Sequence, residues 1–331
     1  MVSGPSSGFR HRARLAIRGR VGSPKIGIFE EGSHRVVHIP NCVVHHPLIN
    51  QVAGIVRRAL VSTRVAPYSD QAHAGVARYL QVVVERSTET AQVVLVTNSD
   101  DAGALQPLFA EIQRELGPRL HSLWQSPQLE RTNTILGATF RHVAGPDSVR
   151  ETLGGASVFY PPGAFGQNNL ELFERLVEHV HQAVPAGARV VELYAGVGAI
   201  ALGLVPRSHS VVFNELGEHS LTGLGLGLAA LGPELAGRTR VVAGPAGDHA
   251  ELVADADVVI ADPPRKGLDR ELLEALVSHK PKRFVYVSCG LASFLEQAAE
   301  LVERGLTLTA LTVFDLFPFT EHVEVVAVFS T

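Results

Sequence analysis

Past about residue 160 the chain settles into a regular alternation of short apolar runs and helical stretches, a rhythm that few architectures satisfy. Strand-like runs lie near residues 189–193, 210–213, 239–242, 258–261, 284–288, 306–313 and 323–329. Helical spacing occupies 170–184, 271–277 and 294–302. Strands alternating with helices predict a mostly parallel sheet. The last two runs are separated only by 314–322, with Pro318 inside, so an antiparallel last pair is expected. The predicted class is therefore α/β, Rossmann-like and doubly wound. Three runs end in groups with chemistry of their own: Tyr194-Ala195-Gly196-Val197-Gly198, Asp262-Pro263-Pro264-Arg265 and Ser288-Cys289. Ligands of such sheets sit at the carboxyl ends of the strands, which makes these three endings one candidate site.

The first half reads differently. Short strands at 27–29 and 36–39, helices at 47–60 and 105–116, and a hairpin of 80–85 with 93–96 mix without βα alternation, as in an α+β domain. Two domains are expected, 1–158 and 159–331. The chain has 331 residues, 46% hydrophobic and 19% charged, the composition of a soluble globular protein. No apolar stretch reaches membrane-spanning length and no charged-then-apolar leader opens the chain, so no membrane partner is expected. Two distant cysteines, Cys42 and Cys289, predict neither a disulfide framework nor a Cys-only metal site, and a reducing cytoplasm suits them.

A net charge of −4 argues mildly against nucleic acid, but the average hides an asymmetry. Arg10, Arg12, Arg14, Arg18 and Arg20 fall on even positions before the first acid, Glu30, and Phe9, Ala13, Leu15, Ile17 and Val21 alternate with them. On a strand that period of two gathers the cations on one face. The face is either simply solvated or a phosphate-binding surface, with Arg10, Arg12 and Arg14 as its candidate contacts.

Gly196-Val197-Gly198 alone says little, since Gly-x-Gly turns are common. Its setting adds weight: it follows a strand, precedes the helix-compatible Ile200-Ala201-Leu202, and an acid, Glu215, ends the next strand, where a carboxylate suits a ribose diol. Ala201 occupies the third-glycine position of the dinucleotide fingerprint, which favours a nucleoside without pyrophosphate, S-adenosylmethionine, over a dehydrogenase cofactor.

Taken in order, these segments resemble the S-adenosylmethionine-dependent RNA 5-methyluridine methyltransferases. Phe165-Gly166-Gln167-Asn168-Asn169 is similar to the family's Phe-x-Gln-x-Asn segment, Asp262-Pro263-Pro264-Arg265-Lys266-Gly267 to its Asp-Pro-Pro-Arg-x-Gly loop, Ser288-Cys289 to its nucleophile motif, and residues 315–324 to its C-terminal motif ending in a glutamate. Phe9-Arg10-His11-Arg12, Gly32-Ser33-His34 and residues 132–137 also resemble family segments. The resemblance implies a Rossmann-like methyltransferase domain, with Cys289 the nucleophile, Glu324 the proton acceptor, and Gln167, Tyr194, Gly196, Glu215 and Asp262 lining the cofactor pocket. It implies ribosomal or transfer RNA as substrate, and a monomer is expected.

The departures are specific. Many members carry an N-terminal oligonucleotide-binding-like domain, and this chain begins after the point where that would end. Some hold an iron–sulfur cluster on four cysteines; here Cys42 alone stands in a comparable position, so no iron–sulfur cluster is expected. Gly290-Leu291 follows the nucleophile, where the family usually has Asn-Pro. Arg265 and Lys266 are expected to favour the thiolate of Cys289. The plain alternatives are a small buried hydrophobe for Cys289, a solvent-facing edge position for Glu324 and a turn cap for Asp262. The competing functions are a methyltransferase acting on an exocyclic amine, or an RNA-binding relative without turnover.

Overall fold

The computed structural model describes all residues, Met1–Thr331, and divides them into two compact units: 5–149 with 161–163, and 1–4 with 150–160 and 164–331. The expected boundary at 158/159 falls within a strand of the second unit. No helix is long and apolar enough to cross a membrane.

The first unit contains β1 (Arg12–Arg20), β2 (Ser23–Phe29), β3 (Val36–His38), α1 (Pro47–Ser62), β4 (Ala77–Glu85), β5 (Thr90–Thr97), α2 (Gln106–Leu116), β6 (Leu120–Pro127) and β7 (Arg141–Ala144). They form one sheet in the order β3-β2-β1-β4-β5-β6-β7. The β4–β5 hairpin pairs as the sequence predicts. The β5–β6 pair is the parallel one, and α2 provides the crossover that parallel neighbours require. The apolar stripes of the helices, Leu48, Ile49, Val52 and Val56 from α1 with Leu108, Phe109 and Ile112 from α2, pack with Leu80, Val82, Val93 and Leu95 of the sheet.

Here the reading of β1 needs correction. β1 is an interior strand, paired on both edges, and its arginines do not share one open face. Arg12 and Arg18 are each 7% exposed. Arg18 forms an ion pair with Asp70 at 2.5 Å and lies 5.0–5.2 Å from the ring centres of Phe29, Tyr68 and Tyr79. The compensating acid comes from 52 residues away, beyond the reach of a local charge pattern. Arg14 is exposed and Arg10 half-buried.

All but the first residue of a small hairpin, β8 (Val149–Leu153) and β9 (Ala156–Tyr160), belongs to the second unit; its turn is Gly154-Gly155, both at positive φ. The unit continues with α3 (Leu170–Ala183), β10 (Arg189–Leu193), β11 (Ser210–Glu215), α4 (Glu218–Leu231), α5 (Pro233–Ala236), β12 (Thr239–Ala243), β13 (Val258–Ala261), α6 (Arg270–His279), β14 (Arg283–Ser288), α7 (Leu291–Glu303), β15 (Thr307–Phe314) and β16 (Glu324–Ser330). The sheet order is β12-β11-β10-β13-β14-β16-β15, parallel from β12 to β14, with β16 antiparallel to both β14 and β15. The Rossmann-like sheet with an antiparallel last pair is thus as expected.

One element differs. The helix-compatible Ile200-Ala201-Leu202 leads into a 3₁₀ segment, Leu202–Arg207, with Pro206 inside it. Gly203 lies where a Cβ would stand 2.1 Å from the Gly154 carbonyl oxygen, so the hairpin turn abuts this segment.

Candidate active site

The chain runs outward from β10 through β11 to β12 and then returns to β13 on the other side of β10. That reversal opens a crevice at the carboxyl ends of β10 and β13, the usual ligand seat of such sheets. Tyr194 and Gly196 follow β10, Glu215 ends β11, Asp262 follows β13 and Cys289 follows β14. Ser288 pairs with Val325 in register, so the next residues along, Cys289 and Glu324, face each other across β14 and β16. Gln167 precedes α3. The last carbonyl of α3, Ala183, accepts from Arg283 Nη1 at 2.5 Å at the start of β14, so α3 runs back against the strands and its first turn lies toward the carboxyl edge.

On the β10–β11 side the loop is shaped by two conformations that side chains disfavour. Tyr194 has φ +57° and Gly196 φ +58°. A Cβ at Gly196 would meet nothing within 4 Å, so its bare backbone faces open space into which a ligand can approach. The Glu215 carboxylate accepts from the Gly196 N–H at 2.7 Å and the Gly217 N–H at 2.5 Å, which holds it beside the Gly196 backbone. Below the loop, Glu192 is buried and accepts from the Ala201 N–H at 3.3 Å; burial raises its pKa well above the usual carboxylate range. Gln167 is half-buried, and the neighbouring Asn169 caps α3 by accepting from the Leu172 N–H at 3.3 Å.

The other side carries the acids and the thiol. Glu324 is 1% exposed and both its carboxyl oxygens are buried without a hydrogen-bond partner. Burial, then the nearby Asp262, raise its pKa well above the usual range, with Arg265 opposing. Burial pushes Asp262 up to about 7. Cys289 is half-buried, and its thiol pKa is also raised, by burial, then by Glu324 and Asp262, while Arg265 opposes. The expected thiolate bias is therefore corrected on two counts. In the free protein the thiol form is favoured, and Lys266 is not its cation, because Lys266 pairs with Asp269 at 2.6 Å.

Asp269 is a residue that sequence reasoning missed. It accepts from the Tyr194 hydroxyl at 2.9 Å and gives its own N–H back to that oxygen at 3.2 Å, tying the loop after β10 to the loop after β13. The signal was its place two residues beyond the Asp-Pro-Pro-Arg-Lys-Gly segment. Six expected residues, Tyr194, Gly196, Glu215, Asp262, Cys289 and Glu324, lie along one sheet edge, and Gln167 lies toward it. Arg10, Arg12 and Arg14 belong to the other unit.

Residues 253–330 match the family described as tRNA (uracil-5-)-methyltransferase. The chain is 36% identical over 332 aligned positions to an uncharacterized RNA methyltransferase of Protochlamydia amoebophila, covering 98% of this chain and 87% of that protein. It is 31% identical to an uncharacterized RNA methyltransferase of Geobacter sulfurreducens, of which it spans 65%. Among solved structures, the tRNA (uracil-54, C5)-methyltransferase of Pyrococcus abyssi, crystallised with S-adenosyl-L-homocysteine, shares the fold with a TM-score of 0.82 at 24% identity, over 99% of this chain and 78% of that one.

Proposed function

The chain belongs to the RNA (uracil-5-)-methyltransferase family, and from that premise we propose that it moves a methyl group from S-adenosylmethionine to C5 of a uridine in ribosomal or transfer RNA, through a covalent bond between Cys289 and uracil C6. One observation carries this reading. A thiol and a carboxyl group whose oxygens have no partner face each other at the end of β14 and β16, and the reaction needs one nucleophile and one proton acceptor in that relation.

The cofactor would be held by Gly196, Tyr194, Glu215, Gln167 and Asp262. The residues fit it: Gly196 leaves space for close backbone approach and Glu215, held beside it, suits a ribose diol. When bound, S-adenosylmethionine supplies an electrophilic methyl group.

Uracil C5 is a poor nucleophile on its own. Addition of the Cys289 thiolate to C6 moves the C5–C6 π electrons toward O4 and makes C5 an enolate carbon. After C5 is alkylated it still bears its proton. Glu324, as the carboxylate, accepts that proton; the C–H electrons re-form the C5–C6 double bond, and Sγ leaves as thiolate. A carboxylate made more basic by burial is the stronger proton acceptor. Arg265, which opposes the raised pKa of both groups, makes their charged forms accessible. A uridine stacked in folded RNA must flip out to reach Cys289, at a cost of a few kcal/mol. Arg14, exposed on β1, and the half-buried Arg10 are the phosphate contacts we propose; Arg12 is removed from that surface by its burial.

The test is turnover in vitro with S-adenosylmethionine and unmodified transfer and ribosomal RNA transcripts, followed by nucleoside mass spectrometry. We expect 5-methyluridine. A methylated exocyclic amine, or no methylated nucleoside from either RNA, would contradict the proposal.

A further inference from the structure

The loop after β13 has no regular structure of its own, yet α7 grips it at three points. Gly290 caps α7, and Gly290, Ser293 and Gln297 follow the i, i+3, i+7 spacing that shares one helix face. The Ser293 hydroxyl lies 2.8 Å from the Arg265 carbonyl oxygen and 2.9 Å from that of Gly290, and its one hydrogen is shared between them. The Gln297 side chain accepts from the Leu268 N–H at 3.0 Å and donates to the Leu268 carbonyl at 3.0 Å. The same Gln297 oxygen accepts from the Tyr286 hydroxyl at 2.6 Å. At Gly290 a Cβ would stand 2.4 Å from the Arg265 carbonyl oxygen and 3.1 Å from its carbon. Those atoms are backbone, so no rotamer change relieves the clash. Only glycine lets the loop lie this close to the residue after Cys289.

The closeness has an electrostatic consequence. Cys289 is faced by Glu324 from β16, by Asp262 and Arg265 from the loop after β13, and by Tyr286 from its own strand. Arg265 is the cation in that group, since Lys266 is held by Asp269. We propose that Gly290, Ser293 and Gln297 are positioning residues that dock the 265–268 backbone on α7 and thereby fix Arg265 beside Cys289. The departure from Asn-Pro after the nucleophile is then a working part of this chain: the missing side chain at 290 is the space the loop occupies. The inference deepens the proposed reaction and rests on Cys289 being its nucleophile.

In a Cys42→Ser background Cys289 is the remaining thiol, because the chain has two cysteines. Iodoacetamide alkylation followed against pH then reads its titration midpoint without RNA or cofactor. Arg265→Gln should raise the midpoint by about one unit, a roughly tenfold slower alkylation below it. Gly290→Ala and Ser293→Ala should each raise it in the same direction, and Gly290→Ala should add little once Arg265 is Gln, as expected for coupled sites. Thermal melting checks that each variant folds; if Gly290→Ala does not, Ser293→Ala decides. A midpoint unmoved by Gly290→Ala and Ser293→Ala, or by Arg265→Gln itself, overturns the proposal. Covalent trapping of 5-fluorouridine RNA by the same Cys42→Ser protein separates the two readings. Trapping with unmoved midpoints counts against docking alone, whereas shifted midpoints without trapping count against the proposed reaction.

Discussion

Glu324 combines two properties that a purely structural acid would avoid: it is 1% exposed, and neither carboxyl oxygen has a hydrogen-bond partner. Glu324→Gln should leave the addition and alkylation steps possible and block proton removal, so the variant should accumulate a covalent complex with ordinary uridine RNA, visible as a band shift in denaturing gels. The same substitution reports on stability. The folded state holds the Glu324 proton more tightly than the unfolded chain, so folding stability conferred by the protonated group is lost as pH rises from about 4.5 through its raised pKa. Gln does not titrate. The melting temperature of Glu324→Gln minus that of the wild type should therefore widen between pH 5 and 8; a constant difference would show that the carboxyl is not held neutral. Cys289 stood out in the sequence because a reactive residue ends an apolar strand, whereas Glu324 was pointed to by the family resemblance, since its local pattern reads as a solvent-facing edge position. Asp269 was not legible, because its partner Tyr194 is 75 residues away, beyond the reach of any local pattern.

At the scale of elements, the loop after β10 is where backbone conformation does the positioning. Gly196→Ala places a side chain in the left-handed region, at about 1–2 kcal/mol, and directs its Cβ into the open space beside Glu215. We expect a modest loss of thermal stability together with at least about tenfold weaker S-adenosylmethionine binding by calorimetry. Unchanged affinity would mean that this space is not the cofactor's seat. The parallel strands were readable because burial on both faces makes them continuous apolar runs bounded by polar turns. β1 was misread for the converse reason: period two tells which residues share a face, but not that Asp70, Phe29, Tyr68 and Tyr79 enclose Arg18. The α7 stripe was hidden because Gly290, Ser293 and Gln297 carry no charge and grip backbone, which leaves no pattern in a sequence.

For the whole molecule, a net charge of −4 must be reconciled with a polyanionic substrate. If Arg10 and Arg14 each neutralise one phosphate, the double alanine variant should flatten the slope of log affinity against log salt by roughly 1.5, while S-adenosylmethionine affinity stays the same. An unchanged slope, measured by filter binding over a salt series, would place the RNA contacts elsewhere. The division into an α+β part and a Rossmann-like part was visible as a change of rhythm along the chain, but the return of residues 161–163 to the first unit was not, because a three-residue excursion has no period. The account as a whole depends on one bond, between Cys289 and C6 of uracil. The most direct measurement of it is incubation of the protein with S-adenosylmethionine and RNA carrying 5-fluorouridine, followed by intact mass spectrometry. Fluorine at C5 cannot leave as a proton does, so the wild type should form a stable one-to-one adduct mapping to Cys289, and Cys289→Ala should form none. Methylation of ordinary RNA by Cys289→Ala at the wild-type rate, or an adduct on another residue, would contradict the account.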